Sequence, residues 1–253
     1  QQNITLDHSL YLWNVAISPD GAIVASGGES GVIKVWDLKT RKELLKFNHP
    51  GTIWSLAFSP DSTIQASGTL DQSIRFWNLI DGKELDILND VLVESLVFSP
   101  DGKLLAIGTD YKIILWDVAS KKQIKTLVFE LRGGEGLSGI QGVLFSPDGK
   151  MIAAADGDNI AMVWEVSSGK RLSTIIGHGT IIQMSEGTLA FSPDGKMIAA
   201  GNDNGDVIFW DVFADKELWR IATCVPLDFV FGFNGHVFEI GCSDGRVELW
   251  GLQ

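Results

Sequence analysis

Cysteine is nearly missing: Cys224 and Cys242 are the two in 253 residues. That excludes a disulfide framework for a chain of this length, and both read as buried thiols that say little about compartment. Histidine is scarce too, with four residues, which leaves little material for metal or acid–base chemistry. Runs of apolar residues long enough to span a bilayer are lacking, so no membrane insertion is expected. The chain opens Gln-Gln and lacks a Met-led, Lys-bearing leader. Residue 1 is therefore either a boundary within a longer chain or an end left by processing, and the compartment stays open between cytoplasm and export after signal removal. Positive charge is also short: 20 Lys and Arg stand against 32 Asp and Glu, a formal net charge of −12. Clustered cations for neutralising phosphates are wanting, which argues against a nucleic acid ligand, while an acidic surface favours a basic partner. Long helix-forming runs are short as well. What is abundant is glycine, at 28, and tryptophan, at nine, a mixture that favours many short strands and tight turns in an all-β body.

The residues that are there recur in order. Trp36-Asp37, Trp77-Asn78, Trp116-Asp117, Trp164-Glu165, Trp210-Asp211 and Trp250-Gly251 follow one another at intervals of 41, 39, 48, 46 and 40 residues. Ahead of the first five stand Ser18-Pro19-Asp20-Gly21, Ser59-Pro60-Asp61-Ser62, Ser99-Pro100-Asp101-Gly102, Ser146-Pro147-Asp148-Gly149 and Ser192-Pro193-Asp194-Gly195. Gly232-Phe233-Asn234-Gly235 is a worn sixth copy. Pro presets φ and Gly accepts φ > 0, so each copy predicts a hairpin turn. Before each turn, alternate large apolar residues (Val15 and Ile17, Leu56 and Phe58, Leu96 and Phe98, Val143 and Phe145, Leu189 and Phe191, Phe229 and Phe231) predict a strand with one buried face. A second turn, at Asp71-Gln72, Asp110-Tyr111, Asp158-Asn159, Asn204-Gly205 and Asp244-Gly245, leads to a third strand with apolar residues one and three before each Trp. More polar fourth strands are expected at 42–47, 83–88, 121–128, 170–176 and 216–221. In that last strand Trp219 takes a place held elsewhere by Asp86, Lys125 and Ser173, which predicts exposure.

Four strands per unit of about 42 residues, closed by Trp-Asp, resemble the WD-repeat β-propeller family over essentially the whole chain. The resemblance implies an all-β, six-bladed propeller of four-stranded antiparallel blades in a single domain, 1–253. It also implies a buried hydrogen-bond chain joining a histidine, a Ser or Thr, the turn Asp and the Trp of a blade. His8, His49 and His178 stand at the histidine place, and Asp71, Asp110, Asp158 and Asp244 at the aspartate place. Only the second copy has His49, Asp71 and Trp77 together; Ser30 and Asn204 replace the Asp in the first and fifth, and Asn89 the third histidine. The sixth copy ends after its third strand, whereas Asn3-Ile4-Thr5-Leu6 is a fourth strand without a blade. Members of the family commonly lend such a strand to the last blade, so 3–6 is expected to close the ring and cover its edge.

Other chemistry finds little footing. Gly134-Glu135-Gly136-Leu137-Ser138-Gly139 spells a dinucleotide fingerprint, but it falls in a connection between blades without the strand–turn–helix that the motif needs. Asp156 with Asp158, and Asn202, Asn204 and Asp206, resemble fragments of a calcium loop; no bidentate Glu follows, and turn chemistry accounts for them. His236 alone remains for acid–base work. Asn3-Ile4-Thr5 is a glycosylation sequon that matters only after export from a eukaryotic cell. No nucleophile with a base emerges, so no cofactor, metal or enzymatic activity is expected.

The function that the resemblance implies is a non-enzymatic scaffold or sensor, a monomeric ring binding a protein or peptide on one face. A propeller enzyme or ligand sensor using the central channel is the alternative, as is a sensory segment of a larger bacterial effector protein. Insertions lengthen the connections at 130–142 and 177–187, and repeats often place insertions on the binding face. Arg132, Glu135, Ile182 and Met184 in those loops, with Trp13, Glu29, Trp54, Leu70 and Asp203 bordering the same rim, are the candidate partner-binding residues.

Overall fold

The computed structural model describes residues 8, 11–129, 139–156, 160–176, 189–202, 204–232 and 235–251. Strands account for all the regular structure of more than one turn among them; no α-helix occurs among the described residues, and so none that could cross a membrane. Two compact units divide the chain, residues 1–105 and 106–253.

The first unit carries the sheet β1 (Leu12–Ile17), β2 (Ile23–Gly28), β3 (Val32–Asp37) and β4 (Glu43–Asn48), followed by β5 (Ile53–Phe58), β6 (Ile64–Thr69), β7 (Ile74–Asn78) and β8 (Glu84–Leu88). Each is a four-stranded antiparallel meander in chain order. A third such meander is made by β9 (Ser95–Phe98), β10 (Leu104–Gly108), β11 (Lys112–Asp117) and β12 (Lys122–Val128), and the boundary between the units falls within β10. The second unit continues with β13 (Ile140–Phe145), β14 (Met151–Asp156), β15 (Ile160–Glu165) and β16 (Arg171–Ile176), then β17 (Leu189–Phe191), β18 (Met197–Gly201), β19 (Asp206–Asp211) and β20 (Lys216–Ala222). Its last sheet, β21 (Pro226–Phe231), β22 (Val237–Cys242) and β23 (Val247–Gly251), has three strands. The repeat in the sequence thus becomes one meander per copy.

The Ser-Pro-Asp turns show why those residues recur. Ser18, Ser59, Ser99, Ser146 and Ser192 each donate Oγ–H to the Asp two residues on, at 2.5–2.8 Å. The same Oγ accepts the backbone N–H of the residue that opens the next strand, as Ile23 and Met151 show. Asp101, held by Ser99 and Lys103, has its carboxyl pulled down to about 2. Gly21, Gly102, Gly149 and Gly195 close these turns at φ near +70°, and Ser62 adopts φ +57° in their place.

Sheets pack face to face through small residues. Gly68 in β6 lies so close to Val93, ahead of β9, that a Cβ would sit 2.4 Å from Val93 Cγ1, and Gly27 stands likewise against Ile53. The apolar alternation is buried as expected at Leu56, Phe58, Leu96, Phe98, Val143, Phe145, Leu189, Phe191, Phe229 and Phe231. The first copy departs from it: Val15 and Ile17 are 58% and 63% exposed. The third strand of the last copy departs too, with Val247 70% and Leu249 68% exposed. In the intervening copies the first strand packs on the sheet before it, as Leu56 and Phe58 do against Ile33 and Val35. Among the described residues no sheet precedes β1 and none follows β23, so these two faces lack a sequence-adjacent neighbour there.

A second correction concerns the cysteines. Cys224 and Cys242 are not thiols but a disulfide, with Cα atoms 5.6 Å apart. The register pairs Pro226 with Cys242, which carries Cys224, two residues ahead of Pro226, alongside the end of β22; that pairing is visible only once the sheet is assembled. Trp219 is exposed at 39% while one ring face stacks on Phe209 at 4.8 Å.

Candidate functional site

In an antiparallel meander the start of the first strand, the turn between the second and third, and the end of the fourth share one end of the sheet. In the first unit this end is knitted by backbone bonds. Glu29 N–H donates to Tyr11 O at 3.1 Å and His49 N–H to Gly31 O at 2.7 Å. Leu70 N–H donates to Thr52 O at 3.2 Å and Val91 N–H to Gln72 O at 2.9 Å. Turns and connections of successive sheets thereby form one continuous rim.

Bulges aim aromatic residues onto it. The pairing of β1 with β2 slips between Leu12 and Asn14, and that of β5 with β6 between Ile53 and Ser55, so Trp13 and Trp54 are the extra residues at equivalent places. A bulge leaves its extra residue out of the ladder and re-aims the side chain. The two indoles meet at a centroid distance of 5.6 Å, tilted by 30°. Trp13 is 59% exposed and Trp54 half-buried, and Tyr11, Leu12 and Leu70 are exposed at the same end. The cations of the first unit's turns lie at one end alone, whereas acidic residues, among them Asp20, Asp61, Asp81 and Asp101 at the opposite end, occur at both. The turns and connections at this end (29–31, 49–52, 70–73 and 89–94) hold Glu29, Asp71, Asp90 and Glu94, with no Lys or Arg. Lys39, Arg41, Lys42, Lys83 and Lys103 all lie in the turns at the opposite end of these sheets.

Beneath the rim lies the polar cluster of the second sheet. Trp77 Nε1–H donates to Ser67 Oγ at 2.8 Å, and the Asp71 carboxylate accepts from Thr69 Oγ1 and, at 2.8 Å, from Ser73 Oγ. Burial pushes the Asp71 carboxyl upward, but those hydroxyls and His49 outweigh it and hold it below its ordinary value. His49 is buried, and its ring nears the Ser67 backbone without either nitrogen reaching hydrogen-bond geometry. Burial first, then the Arg75 charge, lowers its pKa to about 4, against an opposing pull from Asp71. The family chain is therefore present as two pieces, with His49 beside rather than within them. His8 is also buried, edge-on to Trp36 at 6.0 Å, and burial followed by Lys34 lowers its pKa. Asp110 is exposed; Asp244 is exposed and pairs with Arg246 at 2.8 Å. Asp71 is exposed as well, so a facing histidine does not decide how wet the aspartate is.

Of the remaining candidates, Arg132, Glu135, Ile182, Met184, Asp203, Asp158 and His178 lie outside the described residues, as do 3–6 and most of both insertions. The structure brings Trp13, Trp54, Glu29 and Leu70 to one end. It adds Tyr11, Leu12 and Asp90, which the repeat pattern did not single out; the signal was the adjacent pair Leu12-Trp13, which breaks the alternation where the bulge forms. The calcium-like residues are turn-formers: Asp156 Oδ1 accepts Ile160 N–H, and Asn202 Oδ1 accepts the N–H groups of Asn204 and Asp206. Among the described residues one group has metal-ligand character, Cys224, Cys242 and Glu248, whose ligand atoms lie within 4.8 Å of one another.

Comparison with known proteins places this geometry. The family model described as WD domain, G-beta repeat matches residues 1–37, 41–78, 86–117, 125–165 and 169–211. The chain is similar to the small ribosomal subunit protein RACK1 of Glycine max, 27% identical over 65% of this chain and 42% of that protein. It is similar to that of Caenorhabditis elegans, 29% identical over 64% and 39%, and to the MST50-interacting protein 11 of Pyricularia oryzae, 28% identical over 64% and 40%. The chain thus spans about two fifths of the length of the curated relatives it matches. These relatives come from a plant, a nematode and a fungus and lend no support to the reading as a segment of a bacterial effector.

Proposed function

Since the chain belongs to the WD domain, G-beta repeat family, we propose that it is a non-enzymatic interaction scaffold whose Trp13–Trp54 rim takes a basic protein segment. One observation carries the reading: the exposed Trp13 indole touches the half-buried Trp54 indole in a rim whose turns and connections in the first unit carry acidic charges alone. Tryptophan is the residue type most enriched among interface hot spots, and a cationic side chain gains from both the ring faces and the carboxylates. The names of the relatives agree, two belonging to the small ribosomal subunit and one recording an interaction with MST50. Arg132, Glu135, Ile182 and Met184, in the lengthened connections of the second unit, and Asp203, between β18 and β19, are proposed as further contributors.

The same premise supports a single domain, 1–253, made of six blades as a monomeric ring. Two apolar faces without a sequence-adjacent neighbour, at Val15 and Ile17 and at Val247 and Leu249, together with a last sheet one strand short, are what closure by Asn3–Leu6 would use.

Displayed random peptides selected on the whole chain and counter-screened on Trp13→Ala/Trp54→Ala test the reading. It expects Lys- and Arg-rich sequences that lose the double variant. Selection of acidic sequences, or equal binding to the variant, would overturn it.

A further inference from the structure

We propose that Cys224, Cys242 and Glu248 form, once the disulfide is reduced, a binding site for a thiophilic divalent cation of the zinc type. The proposal is independent of the partner rim, since it rests only on the last sheet.

Three elements bring the ligands together: the connection ahead of β21 carries Cys224, the end of β22 Cys242 and the start of β23 Glu248. Both cysteines are buried and Glu248 is half-buried. Zinc binds thiolate sulfur at about 2.3 Å and carboxylate oxygen at about 2.0–2.2 Å in a tetrahedron, so neighbouring ligand atoms stand roughly 3.5–3.8 Å apart. The two sulfurs and a Glu248 oxygen all fall within 4.8 Å of one another. Side-chain rotation on Cα atoms 5.6 Å apart is enough to open the sulfurs from a bond to such an edge.

The carboxylate is already held in place. Glu248 Oε2 accepts from Thr223 Oγ1 at 2.5 Å and from Trp250 Nε1 at 3.2 Å, and Arg246 Nη1 lies 3.3 Å from Oε1. Donors that fix a ligating group in this way raise metal affinity. Two thiolates and one carboxylate around a dication leave one net negative charge, which the Arg246 guanidinium offsets. Three protein ligands leave a fourth position for water or an incoming group.

The chemistry balances with a thiol such as glutathione as reductant. Two equivalents cleave the S–S bond, leaving two protein thiols and one glutathione disulfide, and cation binding then releases the two thiol protons. In either state the end of β22 stays tied to the connection ahead of β21, in the one three-stranded sheet among those described.

Titration of the whole chain with Co²⁺, with and without prior reduction by a phosphine, tests the site. The reduced protein is expected to bind one equivalent, with a thiolate-to-cobalt absorption band that Zn²⁺ displaces, and the oxidised protein to show none. Cys242→Ser should abolish the band. Glu248→Gln, with its fold verified by circular dichroism, should weaken binding about tenfold or more, the scale on which even a supporting group acts. A reduced chain without the band, an oxidised chain with it, or unchanged affinity in Glu248→Gln would overturn the proposal.

Discussion

Lowering the pH from 7 to 4 should cost the protein about 3 kcal/mol of stability through His49 alone. The folded state holds its pKa at about 4, through burial and the Arg75 charge, against an ordinary value of 6.5. At about 1.36 kcal/mol per pH unit, that gap amounts to about 3 kcal/mol. The folded pKa is depressed, so between pH 6.5 and 4 the unfolded chain binds the proton and the folded chain does not. The contribution is therefore complete above pH 6.5 and lost as pH falls to about 4. Turn carboxylates such as Asp101, with its pKa near 2, release their own contribution mainly below that window. His8 is shifted in the same direction as His49 and steepens the same limb. Urea unfolding of the wild type and of His49→Gln at half-unit steps of pH isolates the effect. The variant should lose about 3 kcal/mol less than the wild type between pH 7 and 4. Parallel curves would refute the assignment of a buried, neutral His49.

Three further outcomes follow from the same geometry. Ser67→Ala strands the buried Trp77 N–H and should cost about 1–3 kcal/mol in urea unfolding, an effect that disappears in a Trp77→Phe background. Reducing the Cys224–Cys242 bond, which closes a loop of sequence separation 18, should lower stability by about 3 kcal/mol when measured in metal-free buffer. Removing residues 1–7 should lower the melting temperature markedly if 3–6 supplies the missing fourth strand, and an unchanged melt would refute that closure.

Much of the fold was legible because each copy repeats its own physics. The Ser-Pro-Asp turns, the apolar alternation and the Trp-Asp ending placed the strands to within a residue or two; β4, expected at 42–47, runs over Glu43–Asn48. What eluded the sequence depends on neighbours that no repeat encodes. Val15 and Ile17 match Leu56 and Phe58 as residues yet are exposed, because burial comes from a neighbouring sheet and none precedes β1 among the described residues. Cys224 and Cys242 look like two isolated thiols until the β21–β22 register sets them side by side. At the candidate rim, Trp13 and Trp54 are 41 residues apart, one repeat, so their equivalence was readable, whereas their ring contact follows from two bulges. The absence of Lys and Arg from the turns and connections at the Trp13–Trp54 end of the first unit became apparent only when the strands assigned each turn to an end.

The interaction rim itself is tested most directly by site-specific photo-crosslinking in the cell of origin. A photoreactive side chain is placed at Trp13 or, as a control, at Ile80, which is 80% exposed in a turn at the opposite end of the sheets. Discrete protein adducts from position 13, suppressed by added Lys- and Arg-rich peptide and absent from position 80, are the result expected. Adducts from position 80 with none from position 13 would contradict an interaction surface at the Trp13–Trp54 rim.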